Sequence, residues 1–238
     1  MKNCSQRRER DRASMAVTFW NMHWRKLRLK TISPSVCYCG KDRSTGIWIL
    51  AFDLAIALRR LKPEKRTSPL SRRSDAELPF ISRAPQAGAP LLLDTSVYID
   101  VLQGRAPIEV KEMLSVREIN HSSVALGELT HLFGRLDPTH QGTSAALSAI
   151  AETINDIPSH RLGSPSVTAF AEAGIITGII ARLRGLPKTD KQPLMNNVAL
   201  FLQALESGAT FLSRNVSDLD LIEQIVPAGR MLLYRQTP

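Results

Sequence analysis

The sequence predicts an α/β fold over residues 91–238, with a parallel sheet. Three observations lead to it. Leu91, Leu92 and Leu93 form a short unbroken apolar run, the pattern of a strand buried on both faces of a parallel sheet. From there to the C-terminus, short apolar runs alternate with stretches of helical periodicity. The charge also divides at this point. Residues 1–90 carry 19 Lys and Arg against 7 Asp and Glu, a net of +12, and the remainder carries 12 against 15, a net of −3. The overall +9 and the pI near 9.9 therefore describe the first 90 residues and not the predicted domain.

The elements follow in order. A first strand covers residues 91–94, and short helices cover 95–102 and 107–114, separated by Gly104. A brief strand is expected at 118–121. Ser122 or Ser123 then caps a helix reaching about residue 136, with Val124, Leu126, Leu129, Leu132 and Phe133 turned inward, and Asp137-Pro138 breaks it. A helix at 145–154 and a short strand at 161–162 come next. Pro165 suits the first position of a long helix ending near Arg184-Gly185. Its apolar face is read as Val167, Phe170, Gly174, Ile175, Gly178, Ile179 and Leu183. A polar loop at 188–193 precedes a helix at 194–206, which stops at Ser207-Gly208, where glycine suits a left-handed C-cap. A strand at 210–213, a helix at 217–225 and a strand at 231–234 complete the domain.

Residues 1–90 have a different texture. Arginine and lysine come in bursts, and a single helix is expected over 47–60, where Trp48, Leu50, Leu54, Ala57 and Leu58 recur at helical spacing. Residues 62–90 are rich in Pro, Ser and Arg without periodicity, the composition of a linker or a disordered segment. The segment reads as an unstructured extension, or as sequence ahead of a misplaced start codon, in preference to a nucleic-acid-binding arm. Its three cysteines, Cys4, Cys37 and Cys39, lack metal-site spacing and are read as free thiols. With no disulfide framework and no signal peptide, the expected compartment is the cytoplasm. The longest apolar stretch, residues 47–58, contains Asp53 and is too short to span a bilayer, so no membrane association is expected.

The chemistry lies in the acids. Ligands of open parallel sheets bind at the carboxyl ends of the strands, and Asp94 stands at such an end, with Thr95 or Ser96 placed to cap the next helix. A plain helix cap is the competing reading of Asp94. Glu128 is the sole acid of the run Val124-Ala125-Leu126-Gly127-Glu128-Leu129, where an ionised carboxylate is costly unless paired or metal-bound. Asp218 follows the strand at 210–213, with Asn215 ending that strand much as Asp94 ends the first. An early-helix acid favoured by the helix dipole is the alternative for Asp218. Carboxylates gathered around magnesium or manganese are the machinery of phosphodiester hydrolysis.

Leu93-Asp94-Thr95-Ser96-Val97-Tyr98-Ile99-Asp100, then Val124 to Leu129, then the stretch from Ala204 through Ser213-Arg214-Asn215-Val216-Ser217-Asp218 to Asp220 resemble the PIN-domain ribonucleases. Within them they are most similar to the VapC-like toxins of toxin–antitoxin pairs. The resemblance spans about residues 91–234. It implies a three-layer α/β/α domain with a central parallel sheet, an acidic pocket holding Mg2+ or Mn2+, endonucleolytic cleavage of RNA, neutralisation by a small cognate antitoxin, and a homodimer. Asp94, Glu128 and Asp218 match three of the family's acids and are the expected catalytic and metal-ligating residues, with Thr95 and Asn215 in support. At the remaining acidic position, in Leu194-Met195-Asn196-Asn197-Val198, this chain has Asn197, which offers a metal a carbonyl oxygen but no charge. Asp190, a few residues upstream, lies in the loop and is not given that role. The substitution predicts a weakened nuclease, or a catalytically inactive module that binds an antitoxin or RNA.

A phosphatase of the haloacid-dehalogenase type is disfavoured because its second acid would fall at position 96, which is serine. His121 and His131 are weak ligand candidates, and His131 reads as a surface or interface group. Phe133, Phe170 and Phe201 are core candidates. Arg182, Arg184, Lys188 and Lys191 are candidates for phosphate contacts.

Overall fold

The computed structural model describes residues 52–185 and 191–237. Five strands form one fully parallel sheet flanked by helices, in the order β3-β2-β1-β4-β5. The strands are β1 (Leu91–Leu93), β2 (Ile119–Ser122), β3 (Leu162–Gly163), β4 (Thr210–Ser213) and β5 (Met231–Leu233). After β1 come α2 (Thr95–Leu102) and α3 (Ile108–Val116), and after β2 come α4 (Ser123–Arg135) and α5 (Thr143–Asn155). Helices α6 (Val167–Arg184) and α7 (Lys191–Glu206) connect β3 to β4, and α8 (Val216–Ile225) connects β4 to β5. Helix α1 (Leu54–Leu61) precedes them all.

The three leucines of β1 pair on both sides, Leu91 with Ile119 and Thr210, and Leu92 with Asn120 and Phe211. All three are at most 1% exposed, so the unbroken apolar run reflects a strand buried on both faces. Helix α2 packs against α4 and β4, and α7 lies against β1 and β4, enclosing a core that includes Tyr98, Leu129, Ile176, Phe201 and Phe211. Ser122, not Ser123, is the N-cap of α4, and its hydroxyl accepts from the Val124 amide at 3.1 Å. Gly208, at φ 66°, turns the chain from α7 into β4 in the left-handed region that glycine adopts without strain.

Several expectations are corrected. Residues 62–90 are no structureless linker. They wrap the domain as a strap, because arginines hold its backbone carbonyls where secondary structure does not. Arg66 donates to the carbonyl of Ile225, Arg182 to those of Arg66 and Pro63, and Arg184 to that of Leu70. Arg182 and Arg184 thus hold the strap. Arg73 pairs with buried Asp220 and with Glu223, and Arg117 donates to the carbonyls of Pro85, Gln86 and Ala87. Phe80 bridges in parallel to Leu233, with the Leu233 amide donating to Pro79 at 2.9 Å. The strap therefore covers the otherwise open edge of β5.

The helix expected over 47–60 begins only at Leu54, because Asp53 is its N-cap and accepts from the Ile56 amide; residues 47–51 and the three cysteines lie outside the described residues. Pro165 precedes the N-cap Ser166 and is not itself in α6. The predicted face of α6 is inverted in part. Val167 and Phe170 are 61% and 49% exposed, while Ala169, Ala173, Ile176 and Ile180 are buried. Small alanines between isoleucines let α6 and α7 pack closely, and periodicity read from bulk alone selected the wrong stripe. Phe133 is likewise exposed at the end of α4, whereas Phe201 is core. Residues 191–193 belong to α7 and not to a loop. Lys188 and Asp190 lie outside the described residues.

Candidate functional site at the carboxyl end of the sheet

The sheet order places a topological switch point between β1 and β4, since the chain leaves β1 for β2 on one side and reaches β4 on the other. Ligand crevices of open parallel sheets form at the carboxyl ends of such strands. Extending the register of Leu93 with Leu212 by one residue sets Asp94 level with Ser213, and the Asp94 amide donates to the Leu212 carbonyl at 3.0 Å. Four segments distant in sequence supply side chains here: the β1–α2 junction, α4, α7 and the β4–α8 junction.

Asp94 is 4% exposed. Its Oδ2 accepts from the hydroxyls of Ser96 and Ser213, each at 2.6 Å. It occupies the N-cap position of α2 but makes no side-chain capping bond, so the carboxylate is not spent on the helix. Glu128, half-buried in the second turn of α4, accepts from the Thr95 hydroxyl and from Asn196 Nδ2, the latter at 2.6 Å. Asp218, in the first turn of α8, accepts on Oδ2 from Asn197 Nδ2 at 2.8 Å and Asn215 Nδ2 at 2.9 Å. Asn215 also caps α8, its Oδ1 accepting from the Asp218 amide at 3.3 Å. Ser213 joins the parts, since its hydroxyl donates to Asp94 and accepts from the Asn215 amide at 2.9 Å.

The six residues singled out in the sequence, Asp94, Thr95, Glu128, Asn197, Asn215 and Asp218, thus lie in hydrogen-bonded groups at one end of the sheet. Sequence reasoning missed Asn196 and Ser213. Asn196 stands beside a marked position, and one helical step turns it towards Glu128 instead of Asp218. Ser213 was signalled by register, being the last residue of the strand that pairs with β1. His121 is buried away from solvent with its Nδ1 2.6 Å from the Tyr98 hydroxyl, a core contact and not a ligand position. His131 is exposed.

The electrostatics separate buried Asp94, and half-buried Glu128 and Asp218, from the other buried acids. Asp100, Asp220 and Glu172 each meet an arginine, namely Arg214, Arg73 and Arg60. Among the described residues, Asp94, Glu128 and Asp218 form no ion pair. Their donors are hydroxyls and amides, so the negative charge is solvated but not neutralised. Burial pushes the Asp94 carboxyl above the usual carboxylate range. The Ser213 and Ser96 hydroxyls oppose that rise, and the charge of Glu128 adds to it.

Oxygen donors in excess, with no protein cation, fit a hard divalent ion in charge and donor type. The arrangement is not a ready-made cluster: among the described residues no three His, Cys, Asp or Glu side chains are gathered closely enough to hold a metal. Asparagine amides intervene, and Asn197 uses Nδ2 on Asp218 while its Oδ1 remains available to a ligand.

No family model and no curated protein matches the chain. Among solved structures, the fold is similar to VapBC2 from Rickettsia felis bound to a DNA fragment from their promoter. That similarity has 12% identity and a TM-score of 0.43, and covers 61% of this chain and 98% of the other. No helix among the described residues is long and apolar enough to cross a membrane.

Proposed function

We propose that this chain is a PIN-like, VapC-like endoribonuclease that uses Mg2+ or Mn2+ and is held in check by a small cognate antitoxin protein. One observation carries the reading. Three carboxylates from separate segments lie at the carboxyl end of the sheet and pair with no arginine or lysine among the described residues, while the buried acids elsewhere are paired. A bound divalent ion supplies Lewis-acid stabilisation of the phosphoryl oxygens and an acidified water.

The chain's own residues prepare that site. Ser96 and Ser213 fix Asp94 through one carboxylate oxygen, and the Thr95 backbone amide adds to its support. Thr95 and Asn196 orient Glu128, and Asn197 and Asn215 orient Asp218. Side chains preset in this way need not reorganise during reaction. Homodimerisation accompanies this reading as an expectation of the same resemblance.

The test uses the full chain with a structured RNA and Mg2+ or Mn2+. Cleavage by wild type and its loss in Asp94→Asn, with the variant melting no lower than wild type, is the expected result. Absence of cleavage by wild type with either ion rejects the nuclease reading.

A second reading, a non-catalytic module that binds RNA or an antitoxin, is favoured by one specific contact. Asn197 donates to Asp218, where a carboxylate would repel it. The two readings diverge on Asn197→Asp. Under the nuclease reading, restoring the acid raises cleavage by about 10²-fold, the scale of one electrostatic contact in a transition state. If wild type is inert and Asn197→Asp creates activity, the second reading holds for the natural chain.

A further inference from the structure

The loop that joins Asp94 to Asp218 carries a cation whose placement the acids do not explain. Arg214 lies between Ser213, which donates to Asp94, and Asn215, which donates to Asp218. Its backbone amide donates to Ser96 Oγ at 3.2 Å, and Ser96 in turn donates to Asp94. The position is therefore fixed at the lip of the acidic site. The side chain is 39% exposed, and its Nε is 3.2 Å from Oδ2 of Asp100, which is fully buried.

Asp100 does not depend on Arg214 for satisfaction. Its Oδ2 also accepts from the Tyr234 hydroxyl at 2.9 Å, and its Oδ1 accepts from Gln236 Nε2 at 2.6 Å. The carboxylate is a rigid post, set between α2 and the residues following β5. It faces Arg214 as an ion pair at Nε, and the guanidinium donates no hydrogen bond to a described residue. A guanidinium held at Nε with its fork open is preorganised for a phosphate.

The site needs such a group. Residues 91–238 carry a net −3, and three unneutralised carboxylates repel a polyanion on approach. The candidate phosphate contacts Arg182 and Arg184 are committed to the strap.

We propose that Arg214 is the RNA-binding residue of this site: Asp100 anchors its Nε, and its terminal nitrogens take a backbone phosphate of the strand whose neighbouring linkage lies over Asp94 and Asp218. The proposal rests on the RNA-directed reading above and specifies how the strand is held.

The test measures binding and not turnover. Fluorescence anisotropy of a labelled single-stranded RNA is followed against salt for full-length wild type, Arg214→Gln and Arg214→Lys, with magnesium present and strand integrity checked on a gel. Arg214→Gln is expected to weaken binding about 10-fold at low salt and to lower the slope of log affinity against log salt by about 0.7, the value for one phosphate contact on a single strand. Arg214→Lys keeps the charge and is expected to retain most of the slope while losing affinity. It also serves as the folded comparison if Arg214→Gln melts early.

A purely structural role for the pair with Asp100 lowers melting temperature and leaves the slope of the folded protein unchanged, and that result overturns the proposal. Binding by wild type that neither variant alters in affinity or slope overturns it while leaving the RNA reading intact. Wild type that binds no RNA overturns both.

Discussion

His121 provides a stability test that can be worked through in numbers. It lies on β2, 1% exposed, with Nδ1 against the Tyr98 hydroxyl. Burial, with the charge of Arg161 in support, lowers its pKa from the ordinary 6.5 to about 3. The folded protein therefore holds the imidazole neutral, while the unfolded chain takes up a proton as pH drops below 6.5. The stabilising contribution is fully present above the unfolded value and is lost as pH falls towards 3. At pH 5 the unfolded state gains about 2 kcal/mol from this one group, and at pH 3 about 4 kcal/mol. Carboxylates titrate over the same range, so the measurement is a difference of differences. Urea unfolding of wild type and His121→Gln at pH 7 and pH 5 is expected to show a fall in wild-type stability about 2 kcal/mol larger than in the variant. Equal falls in the two proteins would refute the assignment of a buried neutral imidazole.

Two further predictions concern packing. Arg73→Ala leaves Asp220, which is fully buried, without its guanidinium. Because Arg73 is itself 30% exposed, a cost of about 2–3 kcal/mol in urea unfolding is expected, below the full penalty for breaking a buried pair. Adding Asp220→Asn should recover part of that loss, whereas strictly additive effects would argue against the coupling. Gly229→Ala would place a Cβ 2.1 Å from Cζ of Phe201, a core ring. A loss of about 1–3 kcal/mol is expected from the forced shift, and a melting temperature equal to that of wild type would show that the turn before β5 yields freely.

Much of the fold was legible because its signals are local. Leu91 to Leu93 read as a doubly buried strand, and β4 at Thr210–Ser213 and α2 at Thr95–Leu102 fall where apolar runs and breakers place them. The acids could be named because each interrupts an apolar or small-residue run. What was not legible depends on tertiary partners. The strap has no periodicity because its partners are side chains of other elements: Arg66, Arg73, Arg117 and Arg182 each tie distant stretches of chain. Composition that resembles disorder can be ordered when arginines satisfy its carbonyls. The buried face of α6 was misread for a related reason. Alanine carries little hydrophobic signal, yet Ala169 and Ala173 are where a neighbouring helix comes close enough to exclude water.

The contrast among the buried acids gives the site its physical meaning. A domain that buries Asp220 and Glu172 meets their desolvation cost with guanidinium groups, and offsets that of Asp100 with Tyr234 and Gln236 beside the Arg214 ion pair, as isolated buried charge requires. The same domain has arginine at position 214, within the loop that links Asp94 to Asp218, and directs its Nε to Asp100. Asp94 is left with hydroxyls, and Asp218 with amides. Neutral donors hold a carboxylate in place without cancelling its charge, so the attraction for a cation from solution survives. An arginine on Asp94 would stabilise the fold and abolish that attraction. Asn197 adds a further amide donor to Asp218 and brings no charge of its own. Isothermal titration with Mn2+ can weigh the two terms. Asn197→Asp should tighten binding, and Asp94→Asn should weaken it, each by more than 10-fold if the cluster binds as a unit. If Asn197→Asp leaves Mn2+ affinity unchanged, position 197 lies outside the ion's reach, and the three carboxylates alone must account for whatever the site binds.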